Sequence, residues 1–314
     1  MGESAATATF DLQQIVSGLA AVRQRWRTAQ QRSTEPGGRE LPSRDELSSI
    51  VEGLRGALFP MRLGPPDLRQ ESEDFYVGHT LDTVLHALLQ QVRLELHYND
   101  RHDGLKTAAD QLDAQALHIV REFGQALPEI RALLDSDVTA AFEGDPAARS
   151  VDEVLLCYPG IEAVIYHRLA HRLYNLGVPL LARLVSELAH GKTGIDIHPG
   201  ATIGPGFFID HGTGVVIGET AVLGARVRIY QAVTLGAKSF PTDDRGHPIK
   251  GQPRHPTVQD DVVIYAGATV LGRVTIGQGA SIGGNVWVTH DVPPGAQVTQ
   301  ARSRKEDVLD GGWL

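Results

Sequence analysis

The sequence predicts an α+β protein: an all-helical N-terminal region over 1–190, a left-handed parallel β-helix over 191–296, and a short tail over 297–314. Two observations carry this. First, aliphatic residues recur every six positions, in one comb of Ile197, Ile203, Ile209, Val215, Ala221, Val227 and Val233 and a second of Val258, Ile264, Val270, Ile276, Ile282 and Val288. A comb of smaller residues, from Val262 through Ala268 to Val292, runs four positions on. A strand repeats every 2 residues and a helix every 3.6. A period of six suits a chain that turns a corner after each short strand, so that three hexapeptides close a triangular coil and coils stack about 4.8 Å apart. Second, Gly204, Gly218, Gly224, Gly236, Gly272, Gly277 and Gly283 each follow an aliphatic residue, where a tight corner wants no Cβ.

The region before 190 has helical periodicity. Phe10 to Gln30 places apolar residues at helical spacing and ends in the Pro36-Gly37-Gly38 segment. Ser43 with Glu46 predicts a capping box for a helix that stops near Pro60. Leu81, Val84, Leu85, Leu88, Leu89, Val92 and Leu96 predict a helix over 77–97, and further helices are expected near 107–123, 126–142, 159–176 and 178–190. His79 and His86 are read as solvated or partly buried side chains, because no third ligand accompanies them.

A net charge of −9 argues against nucleic acid or an anionic membrane as the main partner. The single cysteine, Cys157, excludes an internal disulfide framework and fits a reducing compartment. No apolar run approaches a membrane span, and the opening MGESAATATF lacks a signal-peptide pattern, so a cytoplasmic protein is expected.

The comb breaks once, from Ala237 to Pro256, and this stretch carries Lys238, Arg245, His247, Lys250, Arg254 and His255 against Asp243 and Asp244. A basic insertion in an acidic protein points toward an anionic ligand, with a solvated loop as the alternative. In IDIHPG and IDHGTG, Asp196 and His198 precede Asp210 and His211. With coils of about 18 residues, position 211 is expected one layer above 193, close enough to Asp196 for the two to meet. A carboxylate on one imidazole nitrogen fixes the tautomer and makes the other nitrogen a general base. Spacing alone leaves a chance meeting at a corner equally open.

IDIHPGATIGPGFFIDHGTGVVIGETAVLG, then QAVTLG, then RHPTV, with GDPAARS upstream, resembles the serine O-acetyltransferases over about 145–295. The resemblance implies that His211 takes the serine hydroxyl proton and Asp196 orients it. It implies that Asp145 and Asp210 hold the substrate ammonium, that Arg254 pairs with its carboxylate, and that His255 is a second active-site histidine. Gly236, Ala237 and Lys238, with Ala266 on a coil edge, would approach the coenzyme; Glu219 is either a site residue or a corner acid bonded to backbone. Acetyl-coenzyme A is then a cosubstrate, with no permanently bound cofactor or metal. Relatives of this kind form homotrimers or dimers of trimers. The chain departs from the family at Gly236-Ala237, in the length of the loop before RHP, and in the tail. Arg302, Arg304 and Lys305 could meet the coenzyme's 3′-phosphate or form a solvated basic tail. Many relatives end in isoleucine, which enters O-acetylserine sulfhydrylase. This chain ends in Trp313-Leu314, so docking to that enzyme is expected to be weak or absent.

Three rival functions are weighed. Transfer to a sugar leaves Arg254, Asp145 and Asp210 without partners, whereas homoserine stays open. A zinc-dependent carbonic anhydrase needs three histidines converging across a subunit interface, and His198, His211, His255 and His290 are not spaced by coil multiples. A non-catalytic scaffold leaves the polar set without a purpose.

Overall fold

A computed structural model describes residues 10–29, 41–239, 243, 244, 246, 249 and 251–300. The chain divides into two compact units, 1–40 and 41–314. The first contains α1 (Leu12–Ala29). The second begins with α2 (Arg44–Leu58), α3 (Pro60–Leu63), α4 (Glu73–His102), α5 (Ala109–Gln125), α6 (Leu127–Gly144), α7 (Val151–Cys157), α8 (Pro159–Asn175) and α9 (Pro179–Thr193). Every expected helix is present within a few residues. The seven-residue α7 was not anticipated, because its length gives no periodicity to read; its signal is Ser150, whose hydroxyl accepts from Glu153 N. The capping box at α2 is half formed. Ser43 Oγ accepts from Glu46 N, but the Ser43 N–H donates to Gln91 Oε1 of α4 (2.7 Å), so a neighbouring helix replaces the glutamate. Glu95 performs a similar service for α9: its buried carboxylate accepts from Leu180 N and Leu181 N, both at 2.8 Å, at the positive end of the helix.

Among the described residues fourteen short parallel strands follow, β1 (Asp196–Ile197) through β14 (Gln297–Val298), the last just past the expected boundary at 296. They form three sheets, β1-β4-β7-β10-β13, β2-β5-β8-β11 and β3-β6-β9-β12-β14, so each of the first four coils contributes one strand to each face, and the last meets the second face through a single bridge at Val292. The Ile203, Ile209, Ile217, Leu223, Ile229, Leu235, Val258, Ile264 and Val270 side chains point inward and are buried. The first comb, however, is two columns rather than one. Ile197, Ile203 and Ile209 lie in strands, whereas Val215, Ala221, Val227 and Val233 precede the strand residues Ile217, Leu223, Ile229 and Leu235. The switch occurs because β3 (Phe208–Ile209) to β4 (Val216–Ile217) spans eight residues between strand starts, against six from β2 (Thr202–Ile203) to β3.

A parallel solenoid leaves its first coil with a bare edge, and the helices satisfy it. Ser186 Oγ of α9 donates to Ile197 O, His171 Nδ1 of α8 bonds Pro199 O (2.8 Å), and Arg168 of α8 donates to Ile203 O and Gly204 O. On α6, Ser136 Oγ accepts from Gly206 N (3.0 Å) and Asp137 Oδ1 from Phe207 N (2.8 Å). Asp137 and Arg168 close the set with a two-pronged, fully buried ion pair at 3.0 and 3.1 Å. Asp137→Asn keeps the shape but leaves the guanidinium without a countercharge, and is expected to cost about 3–5 kcal/mol in urea unfolding. A loss below about 1 kcal/mol would contradict this role for the pair.

Candidate active site

Two corners of the solenoid carry polar clusters. The first is the long corner from β3 to β4. Its two extra residues make the first coil 20 residues long, seen in the pairing of Asp196 with Val216 and of Phe208 with Arg228. The expected stacking of 211 over 193 therefore does not form; Gly214 N donates to Gly194 O instead (2.8 Å). The corner bulges outward with His211 at φ 59°, Gly212 at 88° and Gly214 at 78°. Left-handed backbone at a histidine is uncommon and marks a conformation imposed by its surroundings. A Cβ on Gly212 would stand 2.4 Å from Ile195 Cδ1, so only glycine lets the corner close over the core.

The His211 side chain is 71% exposed, with Nε2 3.8 Å from Asp210 Oδ1. Asp210 is buried, and its other oxygen lies 3.5 Å from Arg228 Nη2. Arg228 in turn lies over the rings of Phe208 and Tyr230, at 5.0 and 4.9 Å. Asp145, at the C-terminal cap of α6, completes the group. Its carboxylate accepts from Tyr158 Oη (2.5 Å) and Ala147 N (2.8 Å). These bonds, helped by the nearby charges of Arg228 and His211, hold it below the usual carboxylate range. The same bond pushes the Tyr158 phenol up to about 12. Tyr158 and Arg228 were not anticipated, since nothing in sequence spacing brings either to this corner.

Asp196 is placed differently from expectation. Its ligand oxygen shares a space with Glu187 and His190 of α9, the three groups' ligand atoms lying within 4.8 Å of one another. Among the described residues, no hydrogen bond or ion pair joins Asp196 to His211. That trio is the one group of three with metal-ligand spacing among the described residues.

The second cluster lies at the corner where the first face turns into the second. Arg254 Nη2 donates to Glu219 Oε2 (2.6 Å), and Tyr174 Oη of α8 donates to Glu219 Oε1 (3.1 Å). Partial burial pushes the Glu219 carboxyl up, but these two donors outweigh it and hold the group below its ordinary value. Glu219 is thus a partner of side chains, not an acid bonded to corner backbone. Thr220 Oγ1 accepts from Arg254 N (2.9 Å) and His255 N (3.2 Å), which leaves its hydroxyl proton for His255 Nδ1 (2.9 Å). Thr220 N also donates to that nitrogen (3.1 Å). With Nδ1 accepting twice, the network assigns the ring proton to Nε2. Burial, and then the Arg254 charge, bring the His255 pKa down to about 4. His198 is half-buried beside this cluster, with Nδ1 accepting from Gly200 N (3.0 Å) and its ring edge-on to Tyr174.

The coenzyme candidates divide in the same way. Gly236 ends β7 (Thr234–Gly236), and its carbonyl accepts from Gly272 N (2.9 Å), with Ala237 and Lys238 following at the same edge as Arg254. Ala266 lies on the edge that carries His211, where its carbonyl accepts from Asn285 N (2.9 Å). A face of six residues is roughly 20 Å across. One chain therefore presents two groups of candidate residues: Asp145, Asp210, His211 and Ala266 on one edge, and Arg254, His255, Glu219 and the Gly236 segment on the next. Arg245, His247, Lys250, Arg302, Arg304, Lys305, Trp313 and Leu314 lie outside the described residues.

The chain is a triangular parallel solenoid of the hexapeptide-repeat class, with an acid–histidine corner on one edge and an arginine–histidine corner on the next. Residues 255–290 match the family described as Bacterial transferase hexapeptide (six repeats). The chain is 58% identical over 275 residues, covering 87% of it and 86% of the relative, to a plasmid serine acetyltransferase of Synechococcus elongatus. It therefore belongs to the serine acetyltransferase family. Among solved structures it resembles Entamoeba histolytica serine acetyltransferase 1 in complex with L-cysteine, at 38% identity and a TM-score of 0.69, covering 80% of this chain and 86% of that one. It also resembles the Neisseria gonorrhoeae serine acetyltransferase in complex with serine, at 30% identity and 0.53, covering 81% and 95%.

Two outcomes follow from the arginine–histidine corner. A Cβ on Gly218 would stand 2.1 Å from His255 Nε2, so Gly218→Ala must displace the ring. It is expected to lower kcat/KM at least about tenfold with circular dichroism unchanged; unaltered kinetics would contradict the placement of His255. The ring should titrate by NMR near 4, and a midpoint above 6 would contradict its burial. The unfolded value is about 6.5. The unfolded chain thus binds this proton more readily, and the His255 contribution to stability falls as pH drops from about 6.5 toward 4.

Proposed function

We propose that this protein transfers the acetyl group of acetyl-coenzyme A to the hydroxyl of L-serine, in sites built between the copies of a homotrimer. The observation that carries the reading is the division of the polar set between two edges of one coil stack. Three copies around a three-fold axis can bring the His211 edge of each chain against the Arg254 edge of the next. Pairing of two trimers would change none of this.

In such a site, Asp145 and Asp210 receive the serine ammonium. Asp145 is suited to this because Tyr158 and Ala147 already use one lone pair on each oxygen and keep it ionised. Arg254 of the neighbouring chain pairs with the serine carboxylate, released from or shared with Glu219. His255, neutral at physiological pH, donates through Nε2 without adding charge. His211 Nε2 takes the hydroxyl proton as the serine oxygen bonds to the thioester carbon. The tetrahedral oxyanion then collapses, the carbon–sulfur bond breaks, and the coenzyme thiolate leaves, taking the proton back from the imidazolium. Backbone N–H groups near Gly236 and Ala237, with Ala266 opposite, are suited to the oxyanion and the pantetheine arm, and Lys238 to an anionic part of the coenzyme. Homoserine carries the same two charged groups, and its extra methylene is the feature the site must reject. The single Cys157 supports a cytoplasmic setting.

His211→Ala should lower kcat at least about 100-fold with the protein still folded. Arg254→Ala should raise the serine KM roughly 10–100-fold with little change for the coenzyme. Subunits of the two variants, mixed by denaturation and refolding, should regain about a quarter of wild-type activity, since one interface in four then pairs an intact His211 with an intact Arg254. Recovery near zero would place both residues in one chain's site and overturn the shared-site reading.

A further inference from the structure

We propose that α1 is a self-association helix that joins the three chains of the trimer in a parallel bundle. The proposal rests on the trimer proposed above. Along α1, Leu12, Leu19 and Trp26 recur every seven residues, and Ile15 and Val22 fall three positions after the first two, the spacing of a coiled-coil seam. Val16 widens the stripe. None of these side chains is buried, and each is at least 50% exposed. A stripe of this size along a short helix is stable in water only when covered.

The occupant is written in the seam. Leucine at the first position with β-branched residues at the second favours three or four strands over two. A cyclic trimer also brings three identical helices together in parallel and in register, as such a seam requires. Residues 30–40, QQRSTEPGGRE, can span at most roughly 40 Å, enough for three helices to meet near an axis. At 18 residues α1 is marginal as a free coiled coil, but tethering raises its effective concentration to the millimolar range. Arg23, Arg25 and Arg27 crowd the C-terminal end, where the helix dipole favours them but the neighbouring chains' arginines repel, so the bundle should tighten as salt rises.

Cysteine scanning of the full chain tests this. Cys157 is the native cysteine and is first replaced by serine. Leu19→Cys then places a thiol on the seam, and Ser17→Cys places one roughly 160° around the helix. Under a mild copper–phenanthroline oxidant, Leu19→Cys should convert up to about two thirds of the chains to disulfide-linked pairs while the native mass, that of one trimer or of two paired trimers, is the same before and after oxidation. Ser17→Cys should give at least about tenfold less. Equal cross-linking of the two variants, none in either, or a native mass doubled on oxidation would overturn the bundle while leaving the trimer standing. Binding of phosphatidylglycerol vesicles without seam cross-linking would assign the stripe to a membrane surface and overturn it too. A monomeric native mass would overturn both this and the trimeric site.

Discussion

The structure depends on covering the first edge of the solenoid. Stacked parallel coils pass hydrogen bonds upward, and the lowest coil has donors and acceptors with no coil beneath them. Here six of those groups, from Ile197 O to Phe207 N, are met by side chains of α6, α8 and α9, with Asp137 and Arg168 bonding both the edge and each other. Left unpaired inside the molecule, each would cost about 1–3 kcal/mol. The helices therefore have to sit in one register on the first coil, and that register also builds the site. It carries Asp145, at the end of α6, to the His211 corner with Tyr158, and brings Tyr174 of α8 against Glu219.

The same coil holds the corner from β3 to β4, with its two additional residues. The two additional residues take His211 out of the six-residue repeat, while Gly212 lets the chain close over Ile195. On the next edge, the rigid arrangement of Thr220, Arg254 and His255 depends on the missing Cβ of Gly218. Both polar groups thus sit where the corner departs from the regular stack, on side chains anchored by that stack.

The period of six made the solenoid readable, because each coil repeats the same inward positions, and helical periodicity located the long helices. The phase change at His211 was also in the sequence, as a comb whose members shift from strand residues to the residues two before them, but a comb read only for period conceals it. Reading a uniform 18-residue coil therefore put Asp196 and His211 one layer apart, where the chain instead groups Asp196 with Glu187 and His190. Tyr158 and Arg228 were illegible for another reason. They reach the site through helix packing and through stacking on Phe208 and Tyr230, and neither leaves a pattern along the chain.

The central claim, that serine is held between two chains, is tested most directly by a crystal structure of the assembled protein with serine bound. The divided edges predict a serine ammonium within hydrogen-bonding distance of Asp145 or Asp210 of one copy and a carboxylate paired with Arg254 of the next. A serine whose ammonium and carboxylate are both held by a single copy would contradict it.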